Sequence, residues 1–188
     1  HTLAADSREE WFFDPVTSGG ILVDLAAHQA DQLLALSGAG VTEVRSAEVA
    51  NVACAQHPTM QDLGRMSLRH VRSDGTVVLS DHHVDYLSPS GLGTWGDVRL
   101  MLTGTTGTIE VRSNIDVVGE PGDSHLIIVD SAGARRIDTT TVAVDWAAQL
   151  LRDIADGSDE FMPRGHARAA CAITLEAQRI ASEKGVAP

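Results

Sequence analysis

The stretch from Thr17 to Gly38, TSGGILVDLAAHQADQLLALSG, constrains this chain more than any other. It opens on Thr17, Ser18 and two glycines, as a helix N-terminus often does, and closes on Ser37-Gly38, a good C-terminal stop. The spacing predicts one helix over Gly20–Ser37. Inside it only Asp24, His28, Gln29, Asp31 and Gln32 are polar, and no lysine, arginine or glutamate occurs from Pro15 to Thr42. At 100° per residue Asp24, His28 and Asp31 fall in one narrow arc, with Gln32 at its edge.

A surface helix normally carries a broad charged face. This one reads as packed on most sides, with a thin carboxylate and imidazole stripe left over. Unpaired charge is costly to bury, so the stripe must be paired inside the core or line a cavity. Two readings follow. Asp24 and His28 are an i,i+4 pair that simply stabilises the helix. Alternatively they are a proton-transfer site, since a carboxylate beside an imidazole is a common way to fix its tautomer.

The chain has 188 residues, enough for one sizeable domain, and carries a formal charge of −12. That balance argues against nucleic acid and against an anionic membrane surface, both of which need clustered Lys and Arg. No apolar run is long enough to span a bilayer, and no leader-like segment is visible. The two cysteines, Cys54 and Cys171, lie far apart. They read as two buried free thiols, which points to a reducing, cytoplasmic home.

Along the chain, the aromatic cluster Trp11, Phe12 and Phe13 precedes the helix. Strands are expected over Val41–Cys54, Gly64–Val71 and Thr76–Leu87, the last two joined at Ser73-Asp74-Gly75. Ser88–Gly93 reads as a loop. Further hairpins join Thr94–Thr103 to Thr108–Ser113 through Gly104-Thr105-Thr106-Gly107, and Ser124–Asp130 to Ala134–Thr140 through Ser131-Ala132-Gly133. Asn114–Val118 adds a short strand, with Gly119–Asp123 as its turn. From Val144 the period changes to 3.6. Trp146, Leu150, Leu151 and Ile154 form a helix stripe, and Gly165–Lys184 is an alanine-rich helix with Ala169, Ala172, Ile173, Leu175 and Ile180 inward. The fold class is α+β, a large, mostly antiparallel or mixed open sheet with helices packed on one face. The open face, with strands Thr94–Thr103 and Ser124–Asp130 rich in Val, Leu, Ile, Trp and Met, is the expected surface of a homo-oligomer, dimer or tetramer.

Ser18-Gly19-Gly20 followed by Asp24, His28 and Asp31 resembles the signature that opens the C-terminal domain of Gfo/Idh/MocA oxidoreductases. Gly104-Thr105-Thr106-Gly107-Thr108-Ile109-Glu110 is similar to a later turn and strand of that family, and ARAACAITLEAQRIASEKG to its closing helix. The resemblance implies a single C-terminal substrate domain over 1–188, with a glyceraldehyde-3-phosphate dehydrogenase-like C-terminal fold. It implies NAD or NADP as cofactor in a longer protein, bound by an N-terminal Rossmann domain that this chain does not contain. None is expected on this chain alone, which has no G-x-G-x-x-G after a strand and lacks the family's Glu-Lys-Pro motif. Carried over by position, Asp24 and His28 are the catalytic pair. Trp11, Gly20, Asp24 and His28 contact the substrate, a sugar, cyclitol or similar polyol or carbonyl compound. Asp31 is supporting. The alternative is a non-catalytic binding or oligomerisation module on the same fold.

Asp81-His82-His83-Val84-Asp85 is the other notable run. In a strand Asp81, His83 and Asp85 share one face, with His82 and Tyr86 on the other. Consecutive side chains on that face stand about 6–7 Å apart, too far for one metal ion without a bend. The run reads as a solvated or interface strand or a substrate contact; a metal-dependent site is a third possibility, and no metal is expected. His57, His70, His125 and His166 are expected at the surface. Trp11, Trp95 and Trp146 are expected as core or interface anchors.

Overall fold

A computed structural model describes residues 1–114, 124–161 and 163–185, and divides them into two compact units. The larger unit runs over Leu3–Leu87 and Trp146–Pro188. Its first elements are a 3-10 turn at Glu10–Phe13 and two single-turn helices, α1 (Pro15–Ser18) and α2 (Ile21–Asp24). Then come α3 (Ala26–Ser37) and the strands β1 (Gly40–Ala50), β2 (Leu63–Arg72) and β3 (Val77–Asp85). The strands form one antiparallel sheet in the order β1-β2-β3. Two further helices, α4 (Trp146–Asp156) and α5 (Arg164–Lys184), complete the unit.

Alternation decides which face of this sheet is inside. Gly64, Met66, Leu68 and His70 of β2 are buried, as are Ala47 and Val49 of β1 and Val84 of β3. They meet Ile21, Leu22, Ala26, Ala30 and Leu33 on the first helices and Ala170, Ile173, Ala177 and Ala181 on α5. Gly64 is the close-packing point. A Cβ there would lie 2.8 Å from Ile21 Cγ2 and 2.9 Å from Leu22 Cδ2, so α2 rests directly on the strand backbone. A bulge between Val44 and Ser46 shifts the register of β1.

The smaller unit, His1–Thr2 and Ser88–Asp145, is built on β4 (Val98–Thr103), β5 (Gly107–Ser113), β6 (Ser124–Asp130) and β7 (Gly133–Ile137). These pair antiparallel in sequence order. Rows such as Leu100–Val111–Leu126–Ile137 give one apolar face. Thr2 N donates to the Trp95 carbonyl at 2.9 Å and ties the first residues to this unit.

The α+β class and the antiparallel hairpins are as expected, but several details differ. There are two sheets rather than one large one, and every pairing among the described strands is antiparallel. The helix expected over Gly20–Ser37 is interrupted at Leu25. It is not packed on most sides: Ile21, Leu22, Ala26, Ala30, Leu33 and Ser37 make one buried face, while Asp24, His28, Asp31 and Leu36 are exposed. Small alanines satisfy the buried contact, so the opposite side needs no partner. On α5 the inward residues are Ala170, Ile173, Thr174, Ala177 and Ala181, and Ala172 and Leu175 are exposed. His70 and His125 are buried rather than on the surface, because their strand parity points them inward. Cys54 is buried but Cys171 is exposed. Trp11, Trp95 and Trp146 are more than half exposed, so none is a core anchor within the chain. Of the strand and turn expected at Asn114–Asp123, all but Asn114 lies outside the described residues.

Candidate functional site

Asp24 is the last residue of α2, and its position follows from the turn before it. Gly19 and Gly20 take φ of 87° and 81°, a region open to glycine, and Gly20 is the N-cap of α2. A Cβ on Gly20 would lie 2.5 Å from Gln61 Oε1 and 2.6 Å from Gln178 Oε1. Gln61 Oε1 accepts from Ile21 N at 3.2 Å and from Gln178 Nε2 at 3.0 Å. The buried amide of Gln61 and the half-buried one of Gln178 therefore clamp the start of α2. The side chain of Asp24 is carried over the end of β3.

There it meets Tyr86. The phenolic hydroxyl donates to Asp24 Oδ2. Tyr86 is buried, and its ring packs edge-on against Phe12 at 5.6 Å. Burial, then the bond to Asp24 and the charge of Asp24, hold the phenol well above its ordinary range, so it stays a donor at any physiological pH. A narrow crevice opens beside the pair, lined by Phe12, Phe13, Pro15, Ile21, Met60 and Gln61 together with Asp24, Gly20 and Tyr86. Phe13 in turn stacks flat on His57 at 3.8 Å. With Oδ2 taken by Tyr86, Asp24 Oδ1 has no protein partner among the described residues and remains an acceptor facing solvent. The crevice has about 10 Å³ of room, enough for roughly one water, so a hydroxyl compound would meet Asp24 Oδ1 at its mouth, beside the aromatic wall, rather than inside it.

The sequence-predicted residues separate. Asp24 and Gly20 line the crevice; His28 and Trp11 do not. His28 is exposed one turn further along and makes no hydrogen bond among the described residues. Trp11 is exposed and lies edge-on to Phe12 at 6.2 Å. Asp31, from the same stripe, pairs with His166 instead, Oδ1 to Nε2 at 2.6 Å, joining α3 to α5. Tyr86, Phe12 and Gln61 were missed. Tyr86 carried one usable signal, its parity with His82 on the inward face of β3.

The run Asp81–Asp85 is occupied by its own strand neighbours. Ser67 Oγ donates to Asp81 Oδ1 at 2.5 Å. Arg65 Nε donates to His83 Nδ1 at 3.3 Å, and His83 Nε2 lies 2.9 Å from Asp85 Oδ2, which fixes a neutral tautomer with the proton on Nε2. Among the described residues no group of three His, Cys, Asp or Glu side chains is placed to hold a metal ion. No helix among them is long and apolar enough to cross a membrane.

The fold is that of the C-terminal domain of oxidoreductase-like proteins. A protein from Erwinia carotovora atroseptica described as an oxidoreductase superposes with a TM-score of 0.83 at 28% identity, over 93% of this chain and 51% of its own. An NADPH-dependent oxidoreductase from Desulfitobacterium hafniense gives 0.68 at 20% identity, over 93% and 50%. An aldose-aldose oxidoreductase from Caulobacter crescentus, complexed with glycerol, gives 0.67 at 14%, over 97% and 51%. The chain thus spans about half the length of these proteins. No curated protein matches it. Residues 1–110 match the GFO/IDH/MocA C-terminal domain, and the chain belongs to that family. The match includes both Asp24 and the turn Gly104–Gly107, where Gly104 N donates to the Gly107 carbonyl at 2.9 Å.

Proposed function

We propose that this chain is the substrate-holding part of an oxidoreductase that moves a hydride between NAD or NADP and a carbinol or carbonyl carbon of a sugar, cyclitol or similar polyol. The observation that carries the proposal is the Tyr86–Asp24 pair at the mouth of an aromatic crevice. Family membership supports the reaction class. The neighbours described as NADPH-dependent and as acting on aldoses support the cofactor and substrate classes.

Among the described residues, those lining the crevice do not build a dinucleotide site. The crevice has no glycine-rich phosphate turn, and the space beside Gly20 is filled by Gln61 and Gln178. The cofactor is assigned to the remainder of a longer protein. Here the chain's own residues bind and orient. Asp24 accepts from a substrate hydroxyl through Oδ1, while Tyr86 fixes its rotamer. His28, one turn along and unencumbered, exchanges the hydroxyl proton with solvent. Trp11 is the outer wall beyond Phe12. Association through the face of the four-stranded sheet that carries Met101 of β4 and Val129 of β6 is part of the proposal, supported by the exposure of both side chains.

The test is the full reading frame, expressed and assayed for NAD(H)- and NADP(H)-linked turnover over a panel of sugars and cyclitols. The proposal expects a turning-over substrate whose rate falls at least about 100-fold with His28→Ala. Unchanged turnover with His28→Ala rejects the role of His28. Turnover on none of the panel rejects the substrate class.

A further inference from the structure

Arg8 does not line the crevice itself but stacks on Phe12, one of the rings that do, and the proposed reaction leaves it unused. Its guanidinium carbon sits 4.3 Å above the centroid of Phe12, the ring that packs on Tyr86. Nε donates to the Leu3 carbonyl at 3.4 Å, which fixes the plane of the group. The side chain is half-buried, yet its two terminal nitrogens have no acceptor among the described residues. Arg45, Arg99, Arg135, Arg164 and Arg179 each pair with a carboxylate within five residues. Arg8 has Asp6, Glu9 and Glu10 within two residues and pairs with none of them. Its charge nevertheless reaches the site: it pulls the Tyr86 phenol down, against the burial and the Asp24 contact that push it up.

A guanidinium stacked on a ring presents its in-plane donors sideways, and those donors match the two oxygens of a carboxylate or phosphoryl group. Asp24 offers the opposite chemistry, an acceptor whose free oxygen calls for a hydroxyl. An anionic substrate would be repelled by Asp24 unless a fixed cation stood nearby. We propose that Arg8 anchors an oxyanion of the substrate, so that the compound held here is an acidic polyol, a sugar acid or a phosphorylated sugar or cyclitol, with a hydroxyl toward Asp24. This rests on the reading of Asp24 as the substrate contact.

The experiment is calorimetric titration of the chain with myo-inositol, gluconate and glucose 6-phosphate, alongside Arg8→Gln, Arg8→Lys and Asp24→Asn. Thermal unfolding of each variant controls for folding. At least one anionic probe is expected to bind at least about tenfold tighter than myo-inositol. Whichever anionic probe is tighter identifies the source of the oxyanion. Arg8→Gln should collapse that ratio to within about twofold, Arg8→Lys should keep part of it, and Asp24→Asn should weaken all three probes. Equal affinity for neutral and anionic probes, or a ratio that survives Arg8→Gln, overturns the Arg8 assignment while leaving the Asp24 site standing. Affinities that ignore Asp24→Asn, or no binding by any probe, overturn the site reading and this inference with it.

Discussion

Tyr86, just beyond the end of β3, donates its hydroxyl hydrogen to Asp24 at the end of α2, across 62 residues of sequence. One oxygen of a solvent-facing carboxylate is thereby fixed by a buried ring, and the other faces solvent. Tyr86→Phe removes the donor and keeps the packing. We expect a loss of about 1 kcal/mol in urea unfolding, the net worth of one hydrogen bond whose acceptor can turn to water. A loss above about 3 kcal/mol would mean that the pair is a structural keystone rather than a positioning contact.

Gly64→Ala tests how α2 is seated. The added methyl would press on Ile21, Leu22 and Val84, at 2.8, 2.9 and 3.3 Å. Overpacking of this kind costs about 1–3 kcal/mol, and here it also lifts α2 and the carboxylate it carries. Both a lower Tm and weaker probe binding are expected. A stable variant with unaltered binding would show that α2 is not set by this contact.

Leu22 is fully buried between α2 and the sheet. Leu22→Ala should cost about 2–5 kcal/mol, read as a shift in the urea midpoint at unchanged m-value.

His82 supplies a pH dependence. Burial holds its imidazole below the ordinary 6.5, and Asp81 only partly offsets this. The folded state therefore prefers the neutral ring, while the unfolded chain takes up a proton near 6.5. The stabilisation is fully present above that pH and is lost as pH falls through the folded value. Tm measured from pH 8 to 5 should fall less steeply for His82→Gln than for the unmodified chain. Parallel curves would show that His82 takes no part.

What the sequence made legible is what is local. The turns at Asp74-Gly75 and Gly104–Gly107 carry their own chemistry, and strand alternation put the ends of β6 where they are found. The helical phase of Asp24, His28 and Asp31 was also readable, since it depends only on spacing. Whether that arc faced a cavity or water was not, because alanine serves either side of a helix equally well. The same ambiguity misplaced Leu175 on α5. The contacts that make the site depend on long-range register. Asp24 meets Tyr86 and Asp31 meets His166, and neither partner lies near in sequence. A helical i,i+4 pattern suggested Asp24 with His28 instead. The amide clamp of Gln61 and Gln178 beneath Gly20 had no sequence signal, since an exposed glutamine and a buried one read alike.

Asp24, held by Tyr86, is proposed as the residue that contacts the substrate. Asp24→Asn in the full reading frame tests it most directly, because an amide oxygen can still accept from Tyr86 and the fold should persist. An unchanged Tm within about 1 °C is expected, with a fall in kcat/KM of about 100-fold or more, near 3 kcal/mol of lost transition-state stabilisation. A kcat/KM within twofold of the unmodified enzyme would contradict it.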